Sequence, residues 1–215
     1  MWRKEAIVQQ LGIQYPILLG PFGGGFSTPQ LTAAVSNAGG LGGYGAYTLN
    51  AAEIIAADQQ IRQLTDKPYN LNLWVSDTDA PDGAVTDQQY EQAAQLFKPY
   101  FEEAGIPLPA KPAPFQSRFG NQLQAVLDIR PKVFSFLFGV PPSTVMEDCR
   151  RRGILLVGAA TTLDEAIFLE NAGVDMIIAA GFEAGGHRPS FLDKAENSII
   201  GSFVLLQLIR EKVKV

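Results

Sequence analysis

Short apolar runs rich in β-branched and aromatic residues alternate with helical patterns along the chain, which predicts an α/β fold of parallel βα units. The strand runs are apolar throughout rather than alternating, as expected for strands buried on both faces, in either a doubly wound sheet or a (β/α)8 barrel. Candidate site residues recur after the first, third, fourth and sixth runs, as if around a rim, which favours the TIM-type barrel. About six βα units are present where a barrel has eight, so an incomplete, C-terminally truncated barrel is expected.

In order, residues 15–19 form the first expected strand and 29–37 a helix, with Thr28 as N-cap and Gly39 as its stop. Residues 41–47 give a second, small-residue strand, 51–64 a helix and 70–75 a third strand. A long excursion follows, at about residues 76–118 of an otherwise single domain spanning 1–215. Within it 77–83 is turn-rich, 87–104 helical and 106–115 dense in proline, and loops of this kind usually carry function or cover a site. The pattern resumes with a helix at 120–129, a strand at 133–138, a helix at 143–152, a strand at 154–157, a helix at 163–171 and a strand at 176–179. Residues 198–212 read as an apolar-rich helix, and 213–215 as the start of another strand.

Composition narrows the function. A chain of 215 residues with 47% hydrophobic and 18% charged residues is globular, with enough length for a sizeable core. Its net charge of −5 and pI near 4.9 argue against nucleic acid or an anionic membrane as the main partner. The run Arg150-Arg151-Arg152 ends a helical stretch and complements its dipole. The single cysteine, Cys149, rules out an internal disulfide and sits in a charged helical stretch away from any histidine. With one Cys and one His a zinc site is not expected. The N-terminus has no signal-peptide pattern and no apolar stretch approaches a membrane span, so a soluble, cytoplasmic protein is expected.

The chemistry concentrates after the sixth strand. His187, the only histidine, lies in Gly181-Phe182-Glu183-Ala184-Gly185-Gly186-His187-Arg188, a proton-exchanging side chain where backbone can approach a ligand closely. Glu183 either orients the imidazole or binds backbone amides. Pro21-Phe22-Gly23-Gly24-Gly25, after the first strand, reads as a tight turn or as exposed backbone under a flat ligand. Asn72 places an amide among apolar neighbours, where it is satisfied structurally or offers a donor and an acceptor to a heterocycle. Ser135 poses the same question, without a nucleophile elbow. Gly40-Leu41-Gly42-Gly43-Tyr44-Gly45 matches the dinucleotide fingerprint in letters. It follows a helix and enters a strand, the reverse of the working arrangement, so its glycines are read as packing residues.

Together these segments resemble the nitronate monooxygenase family, also called 2-nitropropane dioxygenases. The resemblance rests on Pro21 to Gly25, on Leu31 to Gly42, on Asn72-Leu73, on Phe134 to Gly139, on the excursion around Pro99 to Gly105 and most specifically on Gly181 to Arg188. It implies a TIM-type barrel with FMN at its C-terminal rim. Pro21, Phe22 and Gly23 would lie along the isoalloxazine, Asn72 on its polar edge, and Gly185 and Gly186 against the cofactor. Gly24, Ser135 and His187 would line the substrate pocket, with the catalytic His187 as base where neutral nitroalkanes are accepted and otherwise helping to hold the anionic nitronate. Ala180 stands at a cofactor position where members of the family commonly have glutamine, and Pro189 replaces a frequent glycine. The implied reaction is oxidation of alkyl nitronates, and of nitroalkanes in some members, by O2 to a carbonyl compound and nitrite.

The resemblance also admits FMN-dependent NADH:quinone or enoyl-thioester reductases, which share the Gly-Gly-His segment. In barrels of this type, phosphate is gripped after strands seven and eight. Without those loops weak FMN binding is expected, or an inactive fragment. Open strand edges and an apolar last helix would favour a homo-oligomer.

Overall fold

The computed structural model describes residues 6–75, 85–113 and 117–215. The chain divides into two compact units, one of Met1–Val75 with Phe119–Val215 and one of Ser76–Arg118. The larger unit holds a parallel sheet of β1 (Gly42–Gly45), β2 (Tyr69–Trp74), β3 (Val133–Leu137), β4 (Leu155–Ala160) and β5 (Met176–Ala179). The strands lie side by side in sequence order, each parallel to the last. A doubly wound sheet reverses its order at a switch point; this one never reverses, which is barrel winding.

Helices α1 (Ala6–Leu11), α2 (Pro29–Asn37), α3 (Ala51–Leu64), α5 (Phe119–Ile129), α6 (Ser143–Arg151), α7 (Leu163–Ala172) and α8 (Ser202–Lys212) belong to this unit, and α4 (Asp87–Ala104) to the smaller one. Their starts are locally encoded. Thr28 Oγ1 accepts from the Leu31 N–H with Pro29 in the first turn of α2, Asn50 and Glu53 form a capping box on α3, and Thr162 Oγ1 accepts from the Glu165 N–H on α7.

Alternation of side chains across the strands divides the core in two. Leu71, Leu73, Phe134, Phe136 and Leu156 pack with residues of the surrounding helices, including Ile54, Val126, Met146 and Leu169. On the other face Leu41, Val133, Val157 and Met176 pack against Val8, Leu11 and Ile13, so α1 and the turn after it plug the N-terminal end of the sheet interior. Gln122, buried on α5, donates from Nε2 to the carbonyls of Tyr47 and Leu49 and fixes the loop between β1 and α3.

Several sequence expectations are corrected. Residues 15–19 are not a strand: only Leu18 bridges Leu41, because Pro16 has no N–H and the Ile17 N–H is taken by the Tyr15 carbonyl. Residues 213–215 are not a strand either; the Val213 N–H bonds the Ile209 carbonyl and the Lys214 N–H bonds Glu170. The strand expected at 154–157 runs to Ala160, since Gly158, Ala159 and Ala160 continue the ladder beside β5. The last helix begins at Ser202, after a short 3-10 turn at Ala195–Asn197. Helix α1 was not anticipated.

In the smaller unit Thr86 and Gln89 form a capping box on α4, and Gly105 closes it in a left-handed conformation. Tyr90 donates to the Pro109 carbonyl at 2.7 Å, and Lys111 pairs with Asp87 at 2.6 Å, which holds the Asp87 carboxyl below its ordinary range. The turn-rich stretch expected at 77–83 lies outside the described residues.

Candidate active site

The C-terminal ends of the strands open onto a cleft of about 340 Å³, at the lower end of the range for small-ligand sites. Its floor is the inward face of the sheet: Asn72 and Trp74 from β2, Ser135 and Leu137 from β3, Ala159 from β4 and Ile178 from β5. Two loops wall it. One carries Gly20, Pro21, Phe22 and Gly23; the other carries Ala180, Ala184, Gly185, Gly186, His187 and Pro189.

Asn72 and Ser135 stand opposite each other in register and are each 2% exposed. Asn72 Nδ2 donates to Ser135 Oγ at 2.9 Å. That bond engages one end of the amide and leaves Oδ1, an acceptor, without a hydrogen bond among the described residues. Sequence reasoning treated the two residues as separate questions. They are one polar pair.

His187 is exposed at the cleft mouth, its ring centroid 4.8 Å from that of Trp74. Trp74 stacks on Tyr47 at 4.0 Å and meets Phe138 edge-on at 5.1 Å. This aromatic support was missed in the sequence, where Trp74 looked like an ordinary strand apolar. Its signal was position: it follows Asn72 by two, and so shares its face.

Glu183 does not orient the imidazole. Its Oε2 accepts from the Ser202 N–H at 2.9 Å and the Ser202 hydroxyl at 2.7 Å, capping the start of α8. Those bonds hold its carboxyl below the ordinary range. Arg188 folds back, donating from Nη1 to the Ala180 carbonyl at 3.0 Å and from Nη2 to the Ser198 carbonyl. The loop bearing His187 is thus stapled at its base.

Glycine explains itself differently in different places. A Cβ on Gly42 or Gly43 would stand 2.1 or 2.2 Å from the carbonyl oxygens of Thr32 or Leu19, so the fingerprint-like glycines serve close packing. A Cβ on Gly23 or Gly185 would meet no protein atom within 4 Å, and neither has a positive φ. The fold itself does not demand glycine at those two positions. Of the anticipated site residues, Pro21, Phe22, Gly23, Asn72, Ser135, Ala180, Gly185, Gly186 and His187 line the cleft; Gly24, in a left-handed turn, does not. Among the described residues no group of three His, Cys, Asp or Glu could hold a metal ion, and no helix is long and apolar enough to cross a membrane. Cys149 is buried, which pushes its thiol up to about 11 and makes it a poor nucleophile.

The sequence profile of the family described as nitronate monooxygenase matches residues 4–215. A nitronate monooxygenase of Paraburkholderia phytofirmans is 39% identical over 98% of this chain and 57% of its own length. A probable nitronate monooxygenase of Staphylococcus haemolyticus is 35% identical over 100% of this chain and 59% of its own. Among solved structures, nitroalkane oxidase from Streptomyces ansochromogenes superposes with a TM-score of 0.82 at 34% identity, over 98% of this chain and 59% of that one. FabK from Thermotoga maritima shares the fold, with a TM-score of 0.67 at 23% identity, over 97% of this chain and 51% of that one. The chain therefore spans a little under three-fifths of the curated relatives it matches, and it belongs to the nitronate monooxygenase family.

Proposed function

We propose that this chain supplies the histidine-bearing cleft for FMN-dependent oxidation of alkyl nitronates by O2 to a carbonyl compound and nitrite. The observation that carries the reading is the convergence of His187 on a glycine-walled cleft floored by the Asn72–Ser135 pair. The residues present suit a flavin. Gly23 and Gly185 leave open the space a Cβ would fill, so a flat ring can lie on backbone, and Asn72 Oδ1 is free to accept from a ring N–H.

FMN, when bound, would supply the ring that takes electrons from the substrate and passes them to oxygen. The chain's own residues do the rest. Phe22 in the wall and Leu137 and Ile178 in the floor give the cleft apolar surface that suits an alkyl group. His187, braced on Trp74 at the mouth, takes the proton from the carbon next to a nitro group, or in its charged form holds the anionic nitronate oxygens. Pro189 limits the backbone freedom of the loop just after the histidine.

The test is direct. A version of the protein at the full length of its relatives, purified with its own flavin, should release FMN on denaturation and consume oxygen with nitrite release on propyl nitronate. A chain that holds flavin but releases no nitrite, and is bleached by NADH instead, would move the assignment to a reductase.

A further inference from the structure

Glu165, on the first turn of α7, is 0% exposed, and both its carboxyl oxygens are fully used. Oε2 accepts from the Thr161 N–H and from the Thr161 hydroxyl, each at 2.7 Å. Oε1 accepts from the N–H groups of Phe191 at 2.6 Å and Leu192 at 3.2 Å. The one hydroxyl proton of Thr161 points at Glu165, so the 2.9 Å contact between Thr161 and Ser190 is donated by Ser190. A single carboxyl group therefore ties the end of β4 to residues 190–192, just past His187.

Helix α7 does not need this arrangement. Thr162 already caps its first turn, and a buried carboxyl group is costly unless each of its acceptors is used. Glu165 spends its second oxygen on a segment 26 and 27 residues away. Between the histidine and that segment, Arg188 anchors the loop to the Ala180 and Ser198 carbonyls. Among the described residues His187 makes the aromatic contact with Trp74 and no side-chain hydrogen bond.

We propose that Glu165 is the positioning residue of the histidine loop, latching residues 190–192 to the end of β4 so that His187 stays against Trp74 at the cleft mouth. Its functional meaning rests on the reading of His187 given above; its structural content does not.

Because His187 is the only histidine, its ring resonances are unambiguous, and at 4.8 Å they lie within the ring current of Trp74. The experiment is NMR of the full chain with labelled histidine, comparing wild type, Glu165→Gln and Ile61→Val. Ile61, buried on α3, does not line the cleft, so Ile61→Val supplies a control loss of core packing away from the loop. A glutamine keeps the size but turns an amide N–H2 toward N–H donors. Glu165→Gln should move the His187 ring protons toward the positions of a free histidine and speed exchange of the Phe191 and Leu192 amides about tenfold or more. Amides of β2 and β3 should stay protected, and Ile61→Val should leave His187 unmoved.

The proposal is overturned if Glu165→Gln leaves the His187 resonances in place, or shifts them no further than Ile61→Val does. Should Glu165→Gln not fold, Ser190→Ala removes only the last link and should give a smaller shift in the same direction; an unmoved His187 there is equally fatal. Neither readout needs flavin or turnover, so failure of the nitronate assignment would be recognised separately. With turnover in hand, Glu165→Gln added to His187→Asn should cost nothing more than His187→Asn alone.

Discussion

The two ends of the same parallel sheet are built on opposite terms. At the N-terminal ends of the strands, cations are answered by backbone. Arg62 donates to the Ile129 carbonyl at 2.7 Å, Arg152 to the Leu127 carbonyl at 2.9 Å, and Arg150 to those of Ala172 and Gly173 at 2.9 and 2.7 Å. Each arginine thereby closes the C-terminus of a neighbouring helix, where unpaired carbonyls favour positive charge. Asp58 accepts from both Arg62 and the Tyr69 hydroxyl, and burial together with that carboxylate drives the Tyr69 phenol far above its ordinary range. At the C-terminal ends the polar pair Asn72–Ser135 keeps an acceptor free, and glycines hold space open. Yet the hollow among the basic residues, about 640 Å³, is larger than the cleft at the other end, about 340 Å³. Volume is not what points to the proposed working end. Unspent hydrogen-bonding capacity beside side-chain-free backbone is.

That contrast can be broken in four ways. The largest effect is expected at the proposed working end: His187→Asn should lower nitrite release from a neutral nitroalkane at least ~100-fold, as loss of a general base does, while the unfolding midpoint of the protein is unchanged because the side chain is exposed. Asn72→Leu should come next. It removes the amide from the cleft floor and the bond to Ser135, weakening flavin binding about tenfold in a fluorescence titration and costing about 1–2 kcal/mol in urea unfolding. At the other end Arg62→Gln should cost only about 1 kcal/mol, a figure discounted for its half-exposed guanidinium, and leave flavin affinity untouched. If it weakened flavin as much as Asn72→Leu does, the division of labour between the ends would be wrong.

The smallest effect is a pH dependence. Hydrogen bonds from Ser202 depress the folded-state pKa of Glu183, so its contribution is present above the unfolded value and is lost as pH falls through the folded one. Exchange of the Ser202 amide, corrected for intrinsic rate, should therefore gain an acid-side rise in the wild type that Glu183→Gln lacks. A wild-type profile as flat as the variant's would remove Glu183 as the cap of α8.

Much of the fold was legible because its signals are local. The bounds of α2, α3, α4 and β5 follow from caps, glycine stops and periodicity within a few residues, and all four fall where the sequence places them. The segment 15–19 failed because its apolar run reads as strand while its proline and local turn use up the donors a strand needs. Nine of the ten site residues that the sequence and its family resemblance singled out line one cleft, because their segments all end at the same rim. Glu165 escaped because an acid in a first helical turn looks like dipole complementation, and nothing near it in sequence reveals partners at 191 and 192.

By itself, then, the sequence determined the order of the elements, the glycine turn at 23–25, the Gly-Gly-His loop and through them the family. The tertiary structure decided what those pieces touch: Asn72 with Ser135 across 63 residues, Glu183 with α8 rather than the imidazole, His187 with Trp74, and Arg150 and Arg152 with the closing carbonyls of neighbouring helices. The reason is range. Periodicity and capping act within a turn or two of chain, whereas strand register and loop return bring distant polar groups together, and a buried polar group takes whichever partner the fold delivers.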